Sequence, residues 1–578
     1  MLHGDIGLEL GQRVAGALKA ALDVEITPEQ AIVRPSAPGR GADYQCNAAM
    51  SLGKQVGKSP RELAQLIVDH LDAADIVTTP EIAGPGFINF TLTESWLAAE
   101  ARTLLSDDRL GVPATDDPGR YVIDYSSPNV AKEMHIGHVR TTVIGDCFVR
   151  LLEFAGHEVI RRNHLGDWGT PFGMLIEHLL DEGWTAESAS SIADLDGFYK
   201  AARVKFDSEP EFAERARARV VKLQGGDEQT LTLWRGLVAE SEKHFAEIYR
   251  LLGVKLTKED SIGESFYNPF LADTVEELTA KGLTKISDGA LCVFPPGFVN
   301  REKEPLPIIV RKSDGGATYG TTDLAGVRYW TQERKVTDLL YVVGLPQQQH
   351  FQMVFAVGEQ AGWLDGDHRA RYLGFGSILG SDGKMFRTRA GGTVKFIDVL
   401  TEAVDRAAEV VRGRAELDAQ EQAEVARAVG IGAVKYADLS TDREKDYVFD
   451  WDKMLATEGN TSVYLQYANA RILSVLRKAE REPGDEILVE QAAERALVLK
   501  LLQFPAALAG SVETYAPHKL CGYLYETATA FSSFYENCPI LKADTEERQA
   551  SRLALARLTS RTLVLGLSLL GIDAPTRL

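Results

Sequence analysis

Apolar residues recur at positions 139, 143, 144, 147, 148, 151 and 152, a spacing that lays one stripe along a helix and predicts a buried helical face over 139–155. Strand-like runs at 121–126 and 158–162 flank it, so the segment reads strand, helix, strand. Its strands are parallel, because parallel neighbours need a crossover helix. The alternation returns with a helix over 322–333, a strand over 339–344, a helix over 350–363 and a strand over 372–379. Between 178 and 300 the chain is highly charged with helical period, as an insertion would be. The first 110 residues predict an α+β unit, helical at 8–21 and 60–71 and extended towards 83–92, closed by the turn-rich DDPGR at 116–120. From 459 onward YLQYANARILSVLRKA, ALVLKLLQFPAALAG, LCGYLYETATAFSSFYENC and RLALARLTSRTLVLGLSLLG keep helical period, predicting a bundle with its own core.

A chain of 578 residues, 45% hydrophobic and 25% charged, has room for several cores and little disorder. We divide it at 1–114, 115–455 and 456–578. Lys and Arg total 63 against 83 Asp and Glu, a net charge of −20, so no overall basic character advertises a polyanionic partner. A phosphate backbone responds to local basic patches rather than to that sum. Cys46, Cys147, Cys292, Cys521 and Cys538 are scattered without a C-x-x-C pair, the pattern of reduced core thiols rather than a zinc or dithiol motif. No basic-then-apolar leader opens the chain, and the longest apolar run singled out, 562–572, falls short of the ~20 residues of a membrane helix. The expectation is a cytoplasmic monomer without a membrane partner.

The segment SSPNVAKEMHIGHVRTTVIGD at 126–146 joins a strand to the following helix, where parallel sheets collect ligands. A helix start offers N–H groups and a positive dipole end to phosphates. Gly137 allows close approach, and the imidazoles of His135 and His138 can donate hydrogen bonds to phosphate oxygens. Two other readings stand beside this one: a helix cap, or a zinc pair that lacks further acidic or Cys ligands. GKQVGKS at 53–59 looks like a P-loop but is one residue short, with Leu52 where the first glycine belongs, and reads as helix or turn.

The 126–146 segment resembles the HIGH signature of class I aminoacyl-tRNA synthetases in its arginyl form, SSPN followed by AKEMHIGH. Similar blocks follow in the family's order: RNHLGDWGTPFGMLIEHL, YGTTDLAG, FRTRAGGTVKFIDVL and DYVFDWDKMLATEGNTSVYLQYANARI. The resemblance implies an α/β protein: a Rossmann-type parallel-sheet catalytic domain with helical insertions, an N-terminal α+β domain and a C-terminal all-α helical bundle. It implies arginine–tRNA ligase activity, in which ATP activates L-arginine to arginyl-adenylate and pyrophosphate before arginine passes to the 3'-terminal adenosine of its tRNA. ATP is then a substrate, Mg²⁺ rides on the phosphates, and no metal has protein ligands.

Residue by residue, the resemblance implies an arginine pocket of Ser127, Asn129, His138, Tyr319, Asp323 and Gln347. Tyr319 and Asp323 are spaced i,i+4 at a helix start and could face one pocket, where a carboxylate would suit the planar guanidinium. A helix-terminal charge for Asp323 and core packing for Tyr319 are the plainer alternatives. Gln347 lies among Gln348 and Gln349, which leaves its register open. The family's second signature, KMSKS, is replaced here by GKMFRTRAGG, and the resemblance passes the role of its lost lysine to Lys132. Lys132, His135 and His138 are the expected catalytic residues. Gly137, Lys384 and Arg387 join them at ATP, with Arg389 adding charge to the same loop. For tRNA the resemblance implies Asn47 in the first domain and Tyr464, Gln466, Tyr467, Asn469 and Arg471 in the last, although YLQYANARI also fits one buried helix stripe. The rival readings are another HIGH-type adenylating enzyme and an inert RNA-binding paralogue.

Overall fold

A computed structural model of the chain describes residues 5–36, 41–184, 194–387, 393–412 and 417–578. The first domain opens on the helix Ile6–Leu22, which starts where the Asp5 carboxylate accepts the N–H groups of Gly7 and Leu8. Ser59 and Glu62 form a capping box that starts Pro60–Asp69. These helices cover an antiparallel sheet in the order Val33–Pro35, Tyr44–Cys46, Phe87–Phe90, Glu81–Ala83. The GKQVGKS stretch is a run of turns, as expected.

The second domain is built on five parallel strands in the order Arg369–Tyr372, Asp338–Tyr341, Arg120–Asp124, Glu158–Leu165, Ser261–Gly263. The strand–helix–strand unit at 120–165 stands as predicted, with the helix at Gly137–Phe154. Alternate residues of the central strands point to opposite faces. Val122, Leu339 and Tyr341 enter one core with Leu324, Val327, Trp330 and Trp363, whereas Ile123, Leu340 and Val342 enter another.

Three expectations change. The strand expected over 372–379 breaks at Gly374 and Gly376: Arg369–Tyr372 stays in the main sheet, while Ile378–Leu379 pairs with Tyr447–Val448. The break is held by the Gly376 N–H, which donates to the Arg443 carbonyl. The charged insertion contains the helices Thr170–Asp181, Leu195–Ser208, Pro210–Gln224, Glu228–Leu252 and Asn268–Ala280, but it also lends the sheet its edge strand Ser261–Gly263. Beyond it, Thr284–Ser287, Ala290–Val293 and Ile308–Arg311 form a separate antiparallel sheet.

The third change concerns the bundle of Ser462–Lys478, Ala492–Leu501, Phe504–Glu513, Pro517–Asn537 and Glu546–Leu569. Its core is not its own. One continuous apolar cluster runs from Leu10 and Val14 through Val143, Cys147 and Phe148 of the signature helix to Leu524, Leu558 and Leu567. Polar ties reinforce this: Arg495 donates to Asp43 and to the Leu92 carbonyl, and Arg561 to the carbonyls of Leu105 and Asp107. Ala492–Glu513 is, by length and composition, apolar enough to cross a membrane, a stretch that outranks 562–572. Here it breaks ahead of Pro505 into two helices whose Leu497, Val498, Leu501, Phe504 and Leu508 are buried in the bundle. All five cysteines are buried free thiols.

Candidate active site

The signature helix begins at Gly137, and the chain before it folds back on itself. The Gly137 N–H donates to His135 Nδ1 at 3.0 Å, and the His135 N–H donates to His138 Nδ1 at 3.1 Å. His138 Nδ1 also lies 3.3 Å from the His135 carbonyl, but the shorter N–H donation from His135 makes it the acceptor, so in both rings the proton of the neutral imidazole is assigned to Nε2. The rings lie 4.2 Å apart between centroids. Burial, and then Lys132 nearby, lowers the His135 pKa; burial, and then His135, brings that of His138 down to about 4. Both are therefore uncharged donors at neutral pH. A Cβ on residue 137 would meet the His135 ring at 2.8 Å, so a larger residue there would displace the imidazole packed against it.

One expectation fails here. The N–H groups of the helix start are already engaged within the chain: Ile136 with the Val394 carbonyl, His138 with that of His135, Val139 with that of Ile136. The helix offers a phosphate its dipole end and two imidazole N–H groups rather than a row of bare amides. The bonds from Ile136 to Val394 and from Phe396 back to Met134 stitch this segment to the chain just after the second-signature loop, and Lys395 pairs with Glu133 at 2.7 Å. Lys395 belongs to the FRTRAGGTVKF block, where no sequence signal sets it apart from its neighbours. Lys132 lies half-buried with Nζ 4.6 Å from the centroid of the Tyr199 ring, on an insertion helix. Lys384 and Arg387 are exposed on the hairpin that the Leu379–Met385 bridge closes, and neither side chain bonds to the histidine pair. Arg389 lies outside the described residues.

A second cluster gathers five separate segments. The Ser127 hydroxyl donates to Asp124 Oδ1, and the Ser127 N–H donates to Asn163 Oδ1. Asp124 also faces His164, whose Nδ1 is 3.0 Å from Oδ2 and whose Nε2 is 2.8 Å from the Tyr267 hydroxyl. Burial would lower the His164 pKa, but Asp124, then Asp323 and Glu264, outweigh it and the net shift is upward. Asn129 bridges to Gly166, where a Cβ would meet its Oδ1 at 2.4 Å. Tyr319, 71% exposed, opens the helix Tyr319–Arg328 and packs against His350, whose Nε2 reaches Asp323 Oδ2 at 2.5 Å. Glu264 is open to solvent on one side, yet desolvation within the cleft, followed by Asp323 and Asp167, pushes its carboxyl up to about 7. The cluster is thus acidic: among the described residues Asp323 is met by His350 and Glu264 is eased by His164, with no Lys or Arg paired to either carboxylate. Gln347 sits exposed on the turn three residues before His350, with no side-chain hydrogen bond among the described residues. Glu264, His164 and His350 were not singled out from the sequence; an acidic residue following a short edge strand was the available signal for the first.

Residues 100–451 match the family described as tRNA synthetases class I (R), catalytic domain, 465–578 the DALR anticodon binding domain, and 8–92 the arginyl tRNA synthetase N-terminal domain. The chain belongs to the class I arginine–tRNA ligases. An arginine–tRNA ligase of Thermobifida fusca is 52% identical over 98% of this chain and 99% of its own length, and one of Thermosynechococcus vestitus is 46% identical over 98% and 99%. Among solved structures, arginyl-tRNA synthetase from Plasmodium falciparum superposes with a TM-score of 0.85 at 28% identity over the whole of both chains. That of Thermus thermophilus gives 0.80 at 26% over 99% of this chain and 100% of its own. As a member of this ligase family, the chain is an aminoacyl-tRNA synthetase that joins arginine to tRNA.

Within that family setting, the structure sorts the RNA candidates. Gln466 and Asn469 are fully buried: Gln466 Nε2 donates to the carbonyls of Ala428 and Asp573, and Asn469 Oδ1 accepts from Ser560. They are structural, because the helix turns the stripe 462, 463, 465, 466, 469, 472 inward. Tyr464 and Tyr467 are half-buried and Arg471 is exposed. Tyr467 and Arg471 line an open cavity of about 680 Å³ with Arg477, Lys478, Tyr535 and Arg577, a local basic and aromatic patch on an acidic protein. Asn47 is half-buried with its amide oxygen enclosed and unpartnered, so its Nδ2 is the part left for a ligand.

Proposed function

We propose that the two clusters divide the ligation between them, with Ser127 and Asn129 at their join. Arginine places its guanidinium against Asp323 and Glu264 beside Tyr319, and Gln347, Ser127 and Asn129 hold its α-amino and carboxylate end. The observation that carries this reading is the crowded acidity of the basin: a carboxyl raised to about 7 by desolvation and then by Asp323 and Asp167 is what a bound cation would relieve. A planar, permanently charged fork suits Asp323 in a way that an ammonium does not.

ATP lies along the helix start. The substrate carboxylate oxygen attacks the α-phosphorus in line, the bond to the bridging oxygen breaks, and pyrophosphate leaves. A terminal ribose hydroxyl of tRNA then attacks the arginyl carbonyl and AMP departs. Neither step needs His135 or His138 as a base, since both are neutral and present Nε2–H groups; they steady charge on the phosphate oxygens together with Lys132, Lys384 and Arg387, and His138 also borders the arginine. The carboxylates of this cleft belong to the arginine basin, so Mg²⁺ would ride on the triphosphate, where it supplies charge neutralisation.

The segments 1–114, 115–455 and 456–578 serve tRNA contact, catalysis and anticodon binding respectively. Tyr464, Tyr467 and Arg471 face the anticodon, Asn47 offers its amide to the tRNA body, and the enzyme works as a single chain in the cytoplasm. The decisive experiment is tRNA-dependent ATP–pyrophosphate exchange scanned across the amino acids. Activity confined to arginine, abolished by Asp323→Asn, is the expected result; equal activity with lysine would refute the pocket.

A further inference from the structure

Among the described residues, the Asp323 side chain makes one hydrogen bond, to Nε2 of His350 at 2.5 Å. A carboxylate only accepts, so this bond puts the imidazole proton on Nε2. His350 lies in the first turn of Gln348–Gln360 with its side chain 16% exposed. The rings of Tyr319 and Phe351 stand 4.9 Å and 5.4 Å from it between centroids. The imidazole is packed from two directions, whereas the carboxylate it holds sits on a helix edge with a terminal torsion that is intrinsically broad.

A carboxylate has about four lone-pair sites, and a guanidinium fork uses one on each oxygen, both in the carboxylate plane. The bond from His350 occupies one site on Oδ2 and sets that plane. It leaves Oδ1 and the second Oδ2 site for a ligand. An ammonium, a compact point charge with rotatable donors, gains nothing from a fixed plane. We propose that His350 is a positioning residue for amino-acid selection: it clamps the Asp323 carboxylate so that the pocket favours a planar fork over a single ammonium. The inference rests on the reading of Asp323 as the guanidinium partner.

The test uses the full-length enzyme with tRNA in pyrophosphate exchange, comparing wild type, His350→Ala, His350→Gln and Asp323→Asn. His350→Ala should raise the arginine KM by about ten- to a hundredfold, the factor carried by a charge-assisted hydrogen bond, and leave the ATP KM within about twofold. Weak competitive inhibition by lysine should also stay within about twofold, and His350→Gln, which keeps an N–H at similar reach, should recover most of the arginine KM. An arginine KM unmoved in His350→Ala but lost in Asp323→Asn overturns the clamp and spares the pocket. An unmoved arginine KM in Asp323→Asn overturns the pocket reading itself. Loss of arginine, ATP and lysine binding together, without recovery in His350→Gln, shows a merely structural histidine and also overturns the clamp.

Discussion

The two clusters are built in opposite ways, the histidine end and the acidic end of the proposed site. The histidine end is local: nearly every polar group between Met134 and Val139 is satisfied by a neighbour in sequence or by the strand pairing at 394–396, and its imidazoles stay neutral. The cluster proposed for arginine draws Asp124 and Ser127, His164, Glu264, Tyr319 with Asp323, and His350 from five distant segments, and it leaves carboxylates crowded and half-compensated. On the proposed reading, a preorganised donor site and an acidic site suited to a cation are what adenylation needs at its two substrates. The first must meet charge that develops during reaction, the second a charge that is always present.

The largest effect should come from the acidic end. Asp323→Asn removes a charge-assisted pair and should lower kcat/KM for arginine by about a thousandfold, measured by exchange at saturating ATP. If ATP binding fell in parallel, the two ends would not be separable. His138→Ala should lower the exchange rate by about 10²–10³ with little change in arginine KM, the usual cost of one lost donor to developing charge.

A smaller effect separates the ends by pH. Glu264 must be ionised to assist a guanidinium, and its carboxyl stands near 7, so arginine should bind less well below that pH and better above it. A single proton predicts about a tenfold fall in arginine KM between pH 6 and 8. Glu264→Gln should flatten that profile, and no step from His138, neutral down to about 4, should overlie it. The smallest effect lies in the bundle. Arg471→Ala should weaken tRNA affinity about three- to tenfold with a shallower salt dependence, whereas Gln466→Ala should instead lower the thermal unfolding midpoint.

The contrast between the two ends also decides how much could be read in advance. The parallel sheet, the signature helix and the bundle follow from periodicity, and the histidine end from one contiguous motif. The family expectation of an arginine–tRNA ligase is borne out by the identity over nearly the full chain. Glu264 and His350 were not visible, because the importance of each exists only after Ser261–Gly263 has joined the sheet edge and two helices have met. Gln466 and Asn469 show the converse: polar residues in a motif look available to RNA until the helix stripe turns them inward. The spent amides at the helix start could not be foreseen either, since they depend on pairing with Val394, some 260 residues downstream.

The alternation of Val122, Leu339 and Tyr341 against Ile123, Leu340 and Val342 makes the central strands a party wall between two apolar interiors. On one side, the N-terminal unit, the signature helix and the RNA-reading bundle share a single interior; on the other, the segment carrying Tyr319 and His350 has a smaller one of its own. Local opening costs what its own interior costs, so a change confined to the smaller interior behind Tyr319 and His350 should leave the larger shared one intact.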